Sequence, residues 1–302
     1  MKVLLIASGG DGSGMNKVVA ELYKKFKNNI YACFCGFKGL YKNDIRPLKE
    51  FQPLKFENEA GCCIKTARFP EFKEEKYFRV ALKNARNFDY VIVMGGNGSE
   101  KGCQDLAKGG VKTIFIPGTI DNDVDESEYS IGFDTAIDQC CQTIKNVMPS
   151  MEAMERSCVF EAMGRHCPDI AIETAKRVNA ELCIKEKSDI KYREIAKFIK
   201  NRKKEHLSTT IVLRENILPL KEFADKLNEI LKDDVVKTQV VGYTQRGGKP
   251  TKIELSNAKE FANVASLVIK KKLNSKKILM QNGKIVMIES SAKRDTTSKK
   301  FK

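Results

Sequence analysis

A repeated local pattern constrains the fold of this chain more than any other feature. Three times, a short apolar run with the length of a buried strand leads into a polar turn rich in Gly, Asp or Asn. The runs and their turns are Val3–Ser8 with 9–16, 90–94 with 95–99, and 112–116 with 117–123. Parallel strands end at one edge of a sheet, and open α/β sheets bind their ligands there. The pattern therefore predicts one parallel sheet with a ligand site at its carboxyl edge.

The rest of the chain continues the alternation of strands and helices. Apolar residues at three-and-four spacing from Phe133 to Met148 predict a long helix. Further strands are predicted at 157–161, 182–184, 209–213 and 238–241, helices at 190–201, 220–231 and 259–272, and a hairpin across 281–283. We therefore expect an α/β protein of two doubly wound, Rossmann-like domains with mainly parallel sheets. The first domain is expected to comprise 1–132 plus 245–290, the second 133–244, and a basic disordered tail 291–302.

The third of these turns carries two carboxylates, Asp121 and Asp123, on either side of Asn122. Asp and Asn are ordinary turn formers, so a plain surface turn is one interpretation. A calcium loop is excluded, because it requires Gly at its sixth position and Glu at its twelfth, where this chain has Glu126 and Gly132. The alternatives that remain are a surface turn and an acidic pair for metal or proton chemistry.

Composition narrows the class of protein. The net charge of +15 favours anionic partners, either nucleic acid or phosphorylated small molecules. No zinc-finger, RNP or heptad pattern is present, so no nucleic-acid partner is expected. No apolar run approaches the roughly 20 residues of a membrane span, and the ten cysteines form no Cys-x-x-Cys motif. A cytoplasmic protein with reduced thiols is expected.

Six blocks, taken in order, carry a family resemblance. They are 9–16, 67–72, 95–99, 117–123, 163–165 and 245–248. Together they resemble the signature blocks of the bacterial ATP-dependent 6-phosphofructokinases, and the match runs from residue 1 to about residue 288. The resemblance implies glycolytic, ATP- and Mg²⁺-dependent phosphorylation of fructose 6-phosphate to fructose 1,6-bisphosphate. It also implies a homotetramer with shared active sites, in which the first domain binds ATP and the second binds fructose 6-phosphate.

The resemblance assigns roles to residues by position. Asp121 matches the general base, Arg165 the arginine that bridges the substrate and the transferred phosphate, and Gly10 and Thr119 further catalytic positions. Asn97 and Asp123 match positions near the metal. The ATP-binding positions are Gly10, Tyr41, Arg68, Phe69, Gly98, Ser99, Lys101 and Gly102. The substrate-binding positions are Thr119, Asp121, Arg156, Met163, Gly164, Arg165, Glu215, Lys237, Tyr243 and Arg246, with Arg156 and Lys237 supplied by a neighbouring subunit.

Three departures from the family pattern lie at these positions. Asn97 stands where the family has Asp, Lys237 where it has Arg, and Tyr243 where it has His. They leave open a catalytically weak paralogue that serves as a regulatory subunit, or a kinase of another phosphosugar. Relatives that use pyrophosphate carry Asp and Lys at the positions of Gly98 and Gly118, so the resemblance implies ATP as the donor.

The positions that bind allosteric effectors in the family are also altered. Ala20, Lys24 and Met148 stand at positions of effector-binding cations, whereas Glu186 keeps the residue that contacts the effector's metal. The resemblance therefore predicts weak or absent control by ADP and phosphoenolpyruvate.

Overall fold

The structure, a computed structural model, describes residues 1–290 as two parallel-stranded sheets with helices on their faces. The predicted disordered tail, 291–302, lies outside the described residues. Strands β1 to β11 are Val3–Ser8, Ile30–Cys33, Ile45–Pro47, Tyr90–Gly95, Thr113–Pro117, Ser157–Ala162, Leu182–Ile184, Thr210–Arg214, Val236–Val240, Lys276–Gln281 and Lys284–Glu289. Helices α1 to α10 are Met15–Phe26, Gly36–Lys42, Glu75–Ala85, Asn97–Lys108, Phe133–Ala153, Asp169–Val178, Tyr192–Lys204, Leu220–Leu231, Thr244–Gly247 and Lys252–Lys270. Short 3-10 helices span Lys27–Asn29, Leu48–Phe51, Pro70–Lys73 and Lys187–Asp189.

The larger sheet has the strand order β11-β10-β5-β4-β1-β2-β3. Its five central strands are parallel, and β3 and β11 pair antiparallel at the two edges. The smaller sheet, β7-β8-β6-β9, is parallel throughout. These features confirm the predicted α/β fold class with mainly parallel sheets.

Every residue of β1 and β4 is buried, because helices cover both faces of the larger sheet. Leu5 on β1 packs in one core with residues of α1 and α10, among them Leu22 and Phe261. Leu4, on the opposite face of the same strand, packs in a second core with residues of α2 to α4 such as Leu106. A continuous apolar run in the sequence is therefore the expected signature of these strands.

Several predicted boundaries differ from the structure. Helix α10 begins at Lys252, well before the predicted residue 259, because the Thr251 side chain accepts a hydrogen bond from the Glu254 backbone N–H at 3.0 Å and caps the helix. Six of these strands and helices, β2, α2, β3, α3, α6 and α9, were not predicted. The predicted hairpin is confirmed: Asn282 and Gly283 both have positive φ, as a two-residue turn of this kind requires.

A fully buried carboxyl group, that of Glu254, links helix α10 to the start of helix α5. Glu254 on α10 accepts hydrogen bonds from the backbone N–H of Gly132 at 2.9 Å and from the backbone N–H and hydroxyl of Thr135 at 3.3 Å each. Burial nevertheless raises the pKa of Glu254 from 4.5 to about 7, because desolvation penalises the charged form more than these donors stabilise it.

We expect the free energy of unfolding to fall as the pH rises from about 4.5 to about 7. In that window the folded protein holds a proton on Glu254 that the unfolded chain has released, so rising pH favours the unfolded state. Chemical unfolding followed by circular dichroism at pH 5 and pH 7.5 should show a loss of about 2 kcal/mol from this group, which Glu254→Gln should remove. The same pH dependence in both proteins would contradict this.

Candidate active site

The carboxyl ends of β1, β4 and β5 lie side by side. Ser8 pairs with Gly95, and Gly95 pairs with Pro117, so the three polar turns that follow these strands meet at one edge of the larger sheet. Helix α4 begins directly at this edge, at Asn97. Its first turn therefore presents backbone N–H groups to the site, an arrangement that attracts phosphate.

Two adjoining clefts open at this edge, and they share Gly10, Arg68 and Arg165. The first, which we call the aromatic cleft, has a volume of about 390 Å³. Its lining includes Gly10, Phe37, Arg68, Phe69, Phe72, Lys73, Asn97, Gly98, Ser99, Lys101, Gly102, Thr119, Asp123 and Arg165. The second, the arginine cleft, has a volume of about 570 Å³ and is lined by Gly10, Asp11, Arg68, Met163, Arg165, Glu215, Asn216, Tyr243, Arg246 and Gly247.

A side chain at Gly10 would displace Arg246 where the two clefts meet. A Cβ atom at this position would lie only 2.7 Å from Nη1 of Arg246, the same nitrogen that donates a hydrogen bond to the Asp11 carbonyl at 2.8 Å. The absence of a side chain lets Arg246, which follows β9 in the chain, reach the turn after β1. The first turn and the arginine cleft are joined through this contact.

Asp121 and Arg165 form an ion pair at the junction of the clefts. Nε of Arg165 lies 3.1 Å from Oδ2 of Asp121, whose side chain is almost completely buried while that of Arg165 is half exposed. Burial raises the pKa of Asp121 above its ordinary value, and the Arg165 guanidinium opposes part of that shift. Asp121 is thus a stronger base than a solvated carboxylate, held beside a cation that favours its ionised form.

The backbone of Arg165 is fixed by two neighbouring side chains. Oε1 of Glu215 accepts from the backbone N–H of Gly164 at 3.0 Å and from that of Arg165 at 2.8 Å, and the Arg165 carbonyl accepts from Nη1 of Arg214. Arg165 has a φ of +53°, in the left-handed region that a residue with a side chain rarely adopts without support. These contacts aim the guanidinium at Asp121.

The oxygen atoms near Asp121 fit a hard cation. No group of three or more His, Cys, Asp and Glu side chains that could hold a metal occurs within residues 1–290. However, Oδ1 of Asn97 and Oδ1 of Asp121 are buried and have no hydrogen-bond partner in that range, and Asp123 lines the same cleft as Asn97. Mg²⁺ takes few protein oxygens and completes its shell with water and substrate phosphates, so this donor set suits it.

Asn97 also links the turn after β5 to helix α4. Its Nδ2 donates to the Asp123 carbonyl at 2.9 Å, while its buried Oδ1 has no hydrogen-bond partner within residues 1–290. Burial raises the pKa of the Asp123 carboxyl as well, because desolvation acts on it more strongly than the nearby Arg165. With Asn rather than Asp at position 97, a side-chain oxygen is kept and the negative charge near Asp123 is lower.

Aromatic side chains form one wall of the aromatic cleft. The rings of Phe37 and Phe72 stack with their centroids 4.2 Å apart, and Phe69 lies beside them. Phe37, Phe72 and Lys73 were not predicted, although Phe72 ends one of the six blocks and a basic residue follows it. Tyr41, which was predicted to bind nucleotide, does not line the cleft as described; its ring stacks on Phe69 at 5.9 Å and supports it.

The predicted substrate residues are distributed unevenly. Met163, Arg165, Glu215, Tyr243 and Arg246 line the arginine cleft, with Asn216 as an addition that was not predicted. Thr119 lies in the aromatic cleft and its Oγ1 accepts a hydrogen bond from the Asp121 backbone N–H at 3.2 Å. Gly164 contributes its backbone N–H to Glu215.

Four predicted substrate residues line neither cleft: Asp121 and Gly164, which contact or adjoin Arg165 as described above, and Lys237 and Arg156. Lys237, on the edge strand β9, pairs with Asp234 at 2.5 Å, and Nη1 of Arg156 lies 3.5 Å from Sδ of Met154. Neither residue reaches the clefts of its own chain, so any role in binding would require a second copy of the protein.

The fold and the site together define a phosphotransferase. A buried carboxylate can accept a hydroxyl proton, a guanidinium beside it can stabilise a transferring phosphoryl group, and a helix N-terminus with glycine turns can hold a polyphosphate. A sequence model of the family described as "Phosphofructokinase" matches residues 2–269. The chain therefore belongs to the phosphofructokinase family.

Curated relatives cover almost the whole chain. The ATP-dependent 6-phosphofructokinase of Mesomycoplasma hyopneumoniae (strain 7448) is 34% identical over 291 residues, which cover 94% of this chain and 90% of the relative. The ATP-dependent 6-phosphofructokinase of Staphylococcus aureus (strain MRSA252) is 32% identical over 295 residues, with 94% and 91% covered.

Solved structures show the same fold. Pichia pastoris phosphofructokinase in the T-state matches with a TM-score of 0.83 and 24% identity over 96% of this chain, which spans 35% of the Pichia chain. A pyrophosphate-dependent phosphofructokinase from Nitrosospira multiformis also matches with a TM-score of 0.83, at 17% identity, over 96% of this chain and 83% of its own.

Proposed function

We propose that this protein transfers the γ-phosphoryl group of ATP to the 1-hydroxyl of fructose 6-phosphate, as a glycolytic enzyme of the cytoplasm. The observation that carries the proposal is the ion pair between Asp121 and Arg165 at the junction of the two clefts. Membership of the phosphofructokinase family and the names of the relatives support it. No helix in residues 1–290 is long and apolar enough to cross a membrane.

The chemistry follows from the positions of these side chains. ATP occupies the aromatic cleft with its phosphates toward Gly10 and the start of α4, and the sugar phosphate occupies the arginine cleft. Asp121 accepts the proton of the sugar hydroxyl, the hydroxyl oxygen bonds to the γ-phosphorus, and ADP leaves as the bond to its bridging oxygen breaks. Arg165 stabilises the charge on the transferred group throughout.

Asn97 and Asp123 are the residues that would hold Mg²⁺, which leaves Oδ1 of Asp121 available to accept the proton of the sugar hydroxyl. When bound, the ion neutralises charge on the phosphate oxygens of the donor. The protein's own part is to orient these oxygens, and the hydrogen bond from Asn97 to the Asp123 carbonyl does so.

The two glycines that distinguish donors support ATP. A Cβ atom at Gly118 would lie 2.8 Å from Cγ of Met94 and 3.1 Å from Cε of Met15, so a lysine there would disturb the core. Nothing lies within 4 Å of a Cβ atom at Gly98, so that position opens into the aromatic cleft and leaves space for a nucleotide.

A coupled assay tests the proposal directly. Purified protein is supplied with fructose 6-phosphate and Mg²⁺, with either ATP or pyrophosphate as the donor, and with sedoheptulose 7-phosphate or tagatose 6-phosphate as alternative acceptors. ATP-dependent formation of fructose 1,6-bisphosphate, fastest with fructose 6-phosphate, is expected. A folded protein that binds ATP but is inactive with both donors would instead indicate a regulatory paralogue.

We further propose that the enzyme is a homotetramer with shared active sites. Arg156 and Lys237 lie outside the clefts of their own chain, whereas the open side of the arginine cleft exposes Tyr243 to 84% of its full area. Basic residues from a neighbouring subunit at this opening would bind the 6-phosphate. Measurement of the molecular mass in solution alongside the assay tests this assembly.

Weak control by ADP and phosphoenolpyruvate is expected, because Lys24, the cation at an effector-binding position of helix α1, is already paired. Nζ of Lys24 lies 2.6 Å from Glu57 and 3.1 Å from Glu21, and Lys17 pairs with the same two carboxylates. Saturation by fructose 6-phosphate should be hyperbolic and unchanged by either effector at saturating ATP, where product inhibition by ADP is suppressed. Sigmoidal saturation that ADP relieves would contradict this expectation.

A further inference from the structure

A buried lysine lies behind the active site and is not part of it. Lys277, on β10, is 3% exposed, and its Nζ pairs with Glu126 and lies 3.3 Å from Oε1 of Glu100. Glu100 is also almost completely buried, whereas Glu126 is partly exposed. Charges are costly to bury unless they are paired, so this arrangement of one cation between two carboxylates calls for an explanation.

Lys277 connects the two segments that carry the proposed donor chemistry. Glu100 lies in the first turn of α4, between Ser99 and Lys101, which line the aromatic cleft. Glu126 follows Asp121 and Asp123 on the turn after β5. One side chain thus joins the helix start that would hold the phosphates to the turn that bears the base and the metal-side carboxylate.

The rest of the hairpin holds the same turn by backbone contacts. The Glu128 backbone N–H donates to the Met280 carbonyl at 2.8 Å, and the Met280 backbone N–H donates to Oγ of Ser127 at 3.1 Å. Glu126 itself has a φ of +67°. The hairpin therefore fixes the far end of the turn, and the Lys277 ion pairs link that end to helix α4, whereas the Asn97 hydrogen bond to the Asp123 carbonyl links the near end.

We propose that Lys277 is a positioning residue for phosphoryl transfer. Lys277 does not touch the reacting atoms. It sets the separation between the start of α4 and the turn that carries Asp121 and Asp123. This inference rests on the proposed function. A misplacement of about 1 Å between reacting groups can lower the rate by up to about 100-fold, so such a link affects kcat before it affects binding of the sugar.

The test is steady-state kinetics of Lys277→Met against a matched control, Lys276→Met. Lys276 is the preceding residue on the same strand and is also ion-paired, but its partner is Glu289 within the hairpin. We expect Lys277→Met to lower kcat by about 10- to 100-fold with the KM for fructose 6-phosphate changed by less than about threefold, and Lys276→Met to match the wild type. Lys277→Arg, which keeps the charge, should recover most of the loss. Wild-type kcat in Lys277→Met would overturn the proposal.

A second variant separates positioning from the cost of unpaired buried charge. The triple variant carries Glu100→Gln, Glu126→Gln and Lys277→Met. Because it removes all three charges, it should fold even where Lys277→Met alone does not. Its kcat should stay low, because the link is still lost. Recovery of wild-type kcat would overturn the proposal, whereas an inactive wild-type enzyme would count against the proposed function instead.

Discussion

Replacement of Asp121 by Ser is expected to lower kcat for fructose 6-phosphate phosphorylation by about 10²–10⁴-fold, and more where positioning is also lost. The serine cannot accept the sugar hydroxyl proton at neutral pH, and it also leaves Arg165 without its buried partner. Steady-state assays with saturating ATP and Mg²⁺ measure the effect, and equilibrium binding of ATP should be retained because the aromatic cleft is unchanged.

Asp125→Ser is the matched control for this prediction. Asp125 is an exposed carboxylate on the same turn that lines neither cleft, so its replacement should leave kcat close to that of the wild type. A loss of less than tenfold in Asp121→Ser, or an equal loss in both variants, would show that Asp121 is not the base.

Replacement of Arg165 by Ala is expected to lower kcat by about 10²–10³-fold, the usual effect of removing one preorganised charge from a transition state. The variant should also show a changed pH profile. The guanidinium lowers the pKa of Asp121, so its removal raises that pKa, and the residual activity should require a higher pH than that of the wild type. Rates measured from pH 5 to pH 9 test both effects.

Two further variants calibrate the Arg165 result. Arg165→Lys keeps the positive charge but loses the planar donor group, so it should recover only part of the activity. Arg79→Ala removes an exposed arginine that pairs with Glu75 on α3 and should change nothing. If the rate falls at the same acidic pH in the wild type and in Arg165→Ala, the guanidinium does not lower the pKa of Asp121 as proposed.

The parts of the site that the sequence predicted are those encoded by local pattern. The sequence shows glycine-rich turns directly after apolar runs, and one of these turns carries two aspartates. Because parallel strands point the same way, these turns were expected to meet at one edge of the sheet. The pairing of Ser8 with Gly95 and of Gly95 with Pro117 agrees with that expectation.

The parts that were missed depend on contacts between distant segments. Phe37 reaches the aromatic cleft from a short helix that had no predicted boundary, and it is brought there by stacking on Phe72. Tyr41 was assigned by position alone, and the structure places its ring behind Phe69. A lysine in a strand near the end of the chain gives no sign in the sequence that its partners are Glu100 and Glu126.

The order of the strands also bears on how the protein is made. β5 lies beside β10 in the larger sheet, and the pairing of Ile114 with Lys276 joins residues that are synthesised roughly 8 to 30 seconds apart at ordinary translation rates. Until then the catalytic turn after β5 lacks the hairpin that holds it, and one edge of β5 has no neighbouring strand. A nascent chain that stalls before the hairpin would contain every motif of the enzyme, but β5 would have an unpaired edge. We expect such a chain to bind chaperones and to be inactive.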